Sequence, residues 1–166
     1  MSPHAPALPE SAWNTLRERL RGELDRSRLA KMLYSQDASI YQETPLGVAY
    51  PRDAEDVCAL VRFAADHHLP LIPRAGGTSL AGQCVGAGLV VDVSRHMTRI
   101  RRVDPDARIA EVEPGVIQDD LNDAVAPYGL CFAPDTSTSR QAAIGGMIGN
   151  NSCGAFSILS LIHISE

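Results

Sequence analysis

The sequence predicts an α+β fold, a mixed sheet with flanking helices. Three observations predict it. Short apolar runs of strand length, such as Val48-Ala49-Tyr50 and residues 88–93 (GLVVDV), stand between turn-forming residues. Residues 54–68, AEDVCALVRFAADHH, place apolar side chains at helical spacing. Two more strand candidates, 98–103 and 108–113, follow each other directly instead of alternating with helices.

The 166 residues suggest about one domain, with enough chain for a sizeable core. Fifteen Lys and Arg against 20 Asp and Glu give a net charge of −5, which argues against nucleic acid or an anionic membrane as the main partner. No apolar run approaches the roughly eighteen residues of a transmembrane segment. The first residues, MSPHAPALPESAW, lack the basic-then-apolar order of a secretory signal, so a cytoplasmic location is expected. Cys58, Cys84, Cys131 and Cys153 lie far apart, with no CxxC pair and no His at zinc spacing. No metal site is expected, and all four cysteines are expected to be small buried hydrophobes in a reducing compartment.

Taken in order, residues 1–10 are Pro/Ala-rich and loose. Ser11 caps a helix over residues 12–24, with Trp13, Leu16, Leu20 and Leu24 on one face. Residues 34–47 read as an irregular loop before the strand at Val48, which Pro51 stops. Asp53 and Asp56 resemble a capping box for the next helix, whose buried stripe is Val57, Leu60, Val61, Ala64 and Ala65. Pro70 ends that helix, and Leu71-Ile72-Pro73 enters a strand. Pro114-Gly115 is a turn, and residues 117–127 form a helix with Ile117, Leu121 and Val125 inward. Residues 141–150 are Gly-rich and include a short helical turn.

Two glycine-rich segments hold the chemical information. The first is Pro73-Arg74-Ala75-Gly76-Gly77-Thr78-Ser79-Leu80-Ala81-Gly82-Gln83, between two strands. A P-loop would need Lys and a hydroxyl after Gly82, where Gln83 and Cys84 stand. A Rossmann fingerprint would open a helix, but a strand follows. Two readings remain open: a loop whose backbone N–H groups cradle a phosphate, with Arg74, Thr78 and Ser79 nearby, and a plain glycine-rich turn. The second segment is residues 134–154, PDTSTSRQAAIGGMIGNNSCG. Its glycines permit close approach to a flat ligand, and its Asn amides both donate and accept, as the polar edge of a heteroaromatic ring requires. A structural Gly/Asn turn is the alternative.

Together the segments resemble the PCMH-type, or vanillyl-alcohol-oxidase-type, FAD-binding domain. The order P-R-x-G-G-T-S-L-x-G-Q, V-V-D-V, E-P-G, P-D and I-G-G-M-I-G-N-N-S-C-G is shared, from 34 to 155. The likeness is to FAD-linked D-2-hydroxyacid dehydrogenases of the D-lactate, glycolate and D-2-hydroxyglutarate type. Asp37-Ala38-Ser39-Ile40-Tyr41 and residues 145–154 favour the subgroup that joins the flavin module to a C-terminal iron–sulfur region. The resemblance implies that Arg74, Ala75, Gly76, Gly77, Thr78, Ser79, Leu80, Gly82 and Gln83 hold the FAD pyrophosphate. It places Pro134, Asp135 and Thr138 near the flavin ring and ribityl chain. It makes Gly145, Gly146, Asn150 and Gly154 line the cofactor. Members with covalent flavin often have His after the paired glycines; Thr78 stands there, so non-covalent FAD is expected.

No Ser-His-Asp or Cys-His constellation is found, and His67, His68 and His96 read as helix-end or surface residues. Asp119-Asp120 read as helix-start carboxylates, and Arg99, Arg101 and Arg102 as a solvated strand edge. The family takes its base and substrate groups from a C-terminal cap domain, so no catalytic residue is expected here, and the iron–sulfur cluster belongs to the missing part of the parent. The module is therefore read as truncated: 1–33 an N-terminal helical extension, 34–155 an incomplete FAD-binding domain, and 156–166 a non-native tail that looks like translated adapter sequence. The expected function is the FAD-binding portion of a dehydrogenase that oxidises a small D-2-hydroxy acid to a 2-oxo acid. Its location is cytoplasmic, with peripheral contact to the inner membrane left open. The alternatives are a non-catalytic fragment with little FAD binding and a flavin reductase of cell-wall precursor synthesis.

Overall fold

A computed structural model describes residues 8–154; the tail read at 156–166 lies outside them. The chain divides between His96 and Met97 into two compact units. The first unit runs α1 (Glu10–Arg19), β1 (Glu23–Asp25), α2 (Arg28–Leu33), β2 (Gly47–Tyr50), α3 (Ala54–Asp66), β3 (Leu71–Arg74) and β4 (Leu89–Asp92). The second runs β5 (Ile100–Asp104), β6 (Ile109–Val112), α4 (Gln118–Val125), a 3₁₀ turn (Ala126–Tyr128) and α5 (Ile144–Gly149).

The first unit is a four-stranded sheet in the order β1-β2-β4-β3, covered on both faces. β2 and β4 are parallel, as are β4 and β3, while β1 runs antiparallel to β2. Every residue of β2 and β4 is buried, which explains why GVAY and LVVD read as continuous apolar runs. Pro73 sits on β3, an edge strand, where its missing N–H costs no ladder bond. Alternate side chains divide between two cores. Ala49, Leu89 and Val91 meet Trp13 and Leu16 of α1 and Leu60 and Ala64 of α3. Val48, Tyr50, Val90 and Ile72 meet Ala30 of α2 on the other face. The observed architecture is the mixed sheet with flanking helices that the α+β reading describes.

The helix expected over 12–24 is shorter. α1 begins at Glu10 behind Pro9 and stops at Arg19, and Leu24 lies in β1, paired with Ala49. The reason is a buried carboxylate. Asp56 is 2% exposed and accepts N–H bonds from Arg21 (2.8 Å), Gly22 (2.9 Å) and Arg52 (2.9 Å). The N–H groups that would continue α1 are drawn to α3 instead. Gly22, a poor helix former, also passes so close to Tyr50 that a Cβ would fall 2.0 Å from its carbonyl oxygen. The expected capping box is half made. Asp53 Oδ1 accepts the Asp56 N–H at 3.0 Å, but Asp56 returns to Arg52 and the α1–β1 turn.

This turns the inward face of α3. Asp56, Leu60 and Ala64 are buried, whereas Val61 and Ala65, expected inward, are exposed. The cysteines also depart from expectation. Cys58 and Cys131 are exposed, Cys84 and Cys153 are half-buried, and all four are free thiols. Cys58 stands two positions from the Asp56–Leu60 stripe and therefore on the outer side of α3.

In the second unit, β5 and β6 form an antiparallel hairpin with an irregular register between Ile100 and Arg102. Its inward side chains Ile100, Val103, Ala110 and Val112 pack against Val116, Leu121, Val125, Ile144 and Met147.

Asp56→Ala strands three backbone donors and should cost about 3 kcal/mol, read as a fall in the urea midpoint. An unchanged midpoint would contradict the role given to Asp56. Burial pushes the Cys84 thiol up, only partly offset by Arg74. A brief alkylating pulse on the native chain should therefore modify Cys58 and Cys131 well before Cys84, as mass spectrometry of the peptides would report.

Candidate functional site

The glycine loop leaves the end of β3 in the first unit. Its N–H donors divide into two groups. Ser79 Oγ accepts from Ala81 N at 3.2 Å and Gln83 N at 3.4 Å, and its own O–H donates to Gln83 Oε1 at 2.7 Å. Val85 N is spent on the Gly82 carbonyl at 3.2 Å. The N–H groups of Gly76, Gly77, Thr78, Ser79 and Leu80 meet no acceptor among the described residues. Gly77 has φ 64°, a left-handed conformation that glycine adopts without strain and that bends successive N–H groups toward one side. Leu80 stands at the tip, 80% exposed.

The 34–47 segment, read as irregular, is an ordered strap beneath this loop. Gln36 and Gln42 form a bridge, and Ala38 N donates to the Gly77 carbonyl at 3.2 Å. The Tyr41 ring lies against Gly82, so close that a Cβ there would fall 2.7 Å from Cδ2. Arg74 is half-buried. Its Nη1 donates to the Gln36 carbonyl at 2.6 Å, and its guanidinium lies 5.0 Å above the Tyr34 ring. Burial would push the Asp37 carboxyl up, but the Ser39 and Cys84 N–H groups and the Arg74 charge hold it below its ordinary value. Asp37 therefore stays charged and organises the strap.

In the second unit, residues 134–154 are closed by a parallel bridge between Asp135 and Gly154. A Cβ on Gly154, whose φ is 98°, would fall 1.8 Å from the Asp135 carbonyl oxygen, so only glycine fits. Gly145 is likewise used for packing, its N–H donating to the Pro114 carbonyl at 2.9 Å. Gly146, Gly149 and Asn150 are exposed, and a Cβ on Gly149 would meet nothing within 4 Å. Of the expected cofactor-lining residues, Gly145 and Gly154 thus serve the segment's own closure. Gly146, Gly149 and Asn150 lie on the exposed part of this segment, where the Asn150 N–H donates to the Gly146 carbonyl at 3.0 Å. Thr138 turns the chain by accepting from Gln141 N (2.8 Å) and Ala142 N (2.7 Å).

Two residues of this segment's support escaped the sequence reading. Gln118, at the start of α4, is 2% exposed; its Nε2 donates to the Pro134 carbonyl and its Oε1 accepts from Thr136 Oγ1 at 2.8 Å. Glu113, also 2% exposed, accepts from Arg99 N (2.9 Å), Arg99 Nη2 (2.8 Å) and Arg101 Nη2 (3.1 Å). Arg99 and Arg101 remain solvated, as expected of that strand edge, and also clamp this carboxylate, beside the Pro114-Gly115 turn on which α5 starts. The only sequence signal was a lone Glu before Pro-Gly at a strand end.

The hydrogen-bonded Arg99 guanidinium holds the Glu113 carboxyl down to about 2 from an ordinary 4.5, against the opposing effect of burial. The folded value lies below the unfolded one. The stabilisation is therefore complete above about pH 4.5 and is lost as pH falls toward about 2. Glu113→Gln should cost about 2 kcal/mol near neutral pH. The gap in urea midpoint between the two proteins should narrow at about pH 3; a constant gap would contradict this account.

Comparisons with known proteins agree with the resemblance read from the two glycine segments. The chain is 39% identical over 162 residues to the D-2-hydroxyglutarate dehydrogenase of Escherichia coli, covering 93% of this chain and 16% of that protein. It is 36% identical over 132 residues to the glycolate oxidase subunit GlcD of Bacillus subtilis, covering 78% of this chain and 28% of that protein. The chain thus spans a minor part of these relatives' length. Among solved structures, an alkyldihydroxyacetonephosphate synthase shares the fold with a TM-score of 0.79 at 19% identity, over 93% of this chain and 31% of that one. The 6-hydroxy-D-nicotine oxidase of Arthrobacter nicotinovorans gives 0.61 at 27% identity, over 69% of this chain and 26% of that one. The FAD binding domain family model matches residues 45–163, and the chain belongs to that family.

Proposed function

We propose that this chain binds FAD non-covalently. We read it as the FAD-binding portion of a longer flavin-dependent dehydrogenase that oxidises a D-2-hydroxy acid to a 2-oxo acid. The observation behind this reading is the run of five backbone N–H groups, Gly76 to Leu80, without an acceptor among the described residues. Such a run suits a diphosphate, whose oxygens accept several N–H bonds at once. Ser79 spends its hydroxyl on shaping the loop, and Ala75, Thr78, Gly82 and Gln83 complete its rim. Pro134, Asp135 and Thr138 would lie by the flavin ring and ribityl chain. Gly146 and Asn150 would line the cofactor directly, while Gly145 and Gly154 hold that backbone in place. Bound FAD would supply the hydride acceptor. Thr78 occupies the position of the flavin-linking His of some members, and its hydroxyl forms no histidyl bond.

The base and the substrate-binding cation belong, on this reading, to parts of the parent outside this chain, as does an iron–sulfur region that receives the electrons. The parent is read as a cytoplasmic enzyme, open to peripheral contact with the inner membrane, with no nucleic-acid partner. Residues 1–33 are read as an extension, 34–155 as the FAD-binding domain and 156–166 as a non-native tail. Because the chain spans 16% of one dehydrogenase relative, a second reading is a fragment with weak or no FAD binding.

Titrating the purified chain into FAD should quench flavin fluorescence saturably, and acid precipitation should release all the flavin into the supernatant. Absence of saturable quenching would favour the second reading, and flavin retained on the polypeptide would refute non-covalent binding. Ser79→Ala should weaken FAD about fivefold, the worth of about 1 kcal/mol of loop order. The full-length parent should reduce a dye acceptor with D-lactate, glycolate or D-2-hydroxyglutarate. Turnover of L-isomers alone would sink the substrate assignment.

A further inference from the structure

Arg74 ends β3 and Asp92 ends β4, and the two are register partners across the parallel ladder. Opposite charges so placed would ordinarily pair, yet no ion pair joins them among the described residues. Tyr34 links them instead. Its hydroxyl donates to Asp92 Oδ2 at 2.5 Å, and its ring lies 5.0 Å beneath the Arg74 guanidinium. Burial, reinforced by Asp92, raises the Tyr34 hydroxyl pKa, so it remains a donor. The other Asp92 oxygen is occupied by Ser94 N (2.7 Å) and Ser94 Oγ (2.6 Å). The guanidinium is then held at 2.6 Å from the Gln36 carbonyl. It fills the space behind Gly77, where a Cβ would come within 2.7 Å of Nη2. Gly77 is tied from its own side by Ala38 N on its carbonyl at 3.2 Å.

We infer that Arg74 is a positioning residue for the anion cradle, oriented by the Tyr34–Asp92 pair and acting through Gly77. It is not the counter-charge of the ligand. A planar fork is needed, because it must stack on a ring and donate to a carbonyl at once; a Lys ammonium offers a point charge without a stacking plane. The inference rests on the FAD reading above for its consequence, though its mechanical part concerns the loop alone.

The test uses the full chain. Arg74→Lys keeps the charge and loses the fork. It should weaken FAD about tenfold while leaving the urea midpoint within error. Tyr34→Leu, which removes both the ring and the Asp92 bond, should weaken FAD at least as much. Tyr34→Phe, which keeps the ring but releases Asp92 to compete for Arg74, should weaken it by a smaller factor of about threefold. Tyr34→Phe binding FAD like the unsubstituted chain would overturn the part given to the Tyr34–Asp92 pair. In the absence of FAD, amide hydrogen exchange at Ala38 should quicken at least about fivefold in Arg74→Lys. Arg74→Lys binding FAD like the unsubstituted chain, with Arg74→Gln losing it, would overturn the inference in favour of a counter-charge. Unchanged Ala38 exchange would overturn it too, and that arm serves if Tyr34→Leu fails to fold. If the unsubstituted chain binds no FAD, the functional reading falls, and Ala38 exchange still decides whether Arg74 holds the loop.

Discussion

One buried carboxylate organises the first unit. Asp56 gathers the N–H groups of Arg21, Gly22 and Arg52, and so joins the turn after α1 to the turn before α3. Three charge-assisted bonds offset the desolvation of the anion. The geometric result matters more than the energy. α1 is forced to stop, the chain re-enters as β1, and the sheet gains a strand beside β2. With β1 and β3 as its edges, the buried pair β2 and β4 is shielded, and the end of β3 becomes a firm base for the glycine loop.

The same device recurs in the second unit. Glu113 is buried and answered by Arg99 and Arg101, and Gln118 is buried and spent on Pro134 and Thr136. Each satisfies polar groups of the segments around it. In both units, buried polar side chains hold turns in place.

Much of this was legible in the residues. The runs GVAY and LVVD marked the central strands because both of their faces are buried. The repeat Leu121, Val125 marked the buried face of α4, and the Gly-rich 141–150 segment its short helix α5. The glycine segments pointed to a flavin module, and family relationship confirms it. Less legible were places where a partner distant in sequence overrides a local pattern. Leu24 continued a helical stripe with Leu16 and Leu20 but lies in a strand, because Asp56 thirty-odd residues away takes the intervening N–H groups. Val61 and Ala65 matched a stripe that α3 turns outward. The role of Glu113 was hidden too, since nothing local reveals that Arg99 and Arg101, themselves solvated, close over its carboxylate.

By itself, the sequence determined the class of fold, the central strands, the position of both glycine segments and their kinship with FAD-binding domains. The first three follow from composition, periodicity and local spacing, which act over a few residues; the kinship rests on the resemblance of the motifs to that family. Only the tertiary structure decided what those residues do. It separated Gly145 and Gly154, held close against Pro114 and Asp135, from Gly149, where a Cβ would meet nothing within 4 Å. It also set Arg74 over the Tyr34 ring and against the Gln36 carbonyl. The physical reason is common to these cases. Hydrogen-bond satisfaction and close packing are settled between segments far apart in the chain, and no local pattern encodes which distant carbonyl, ring or carboxylate will arrive.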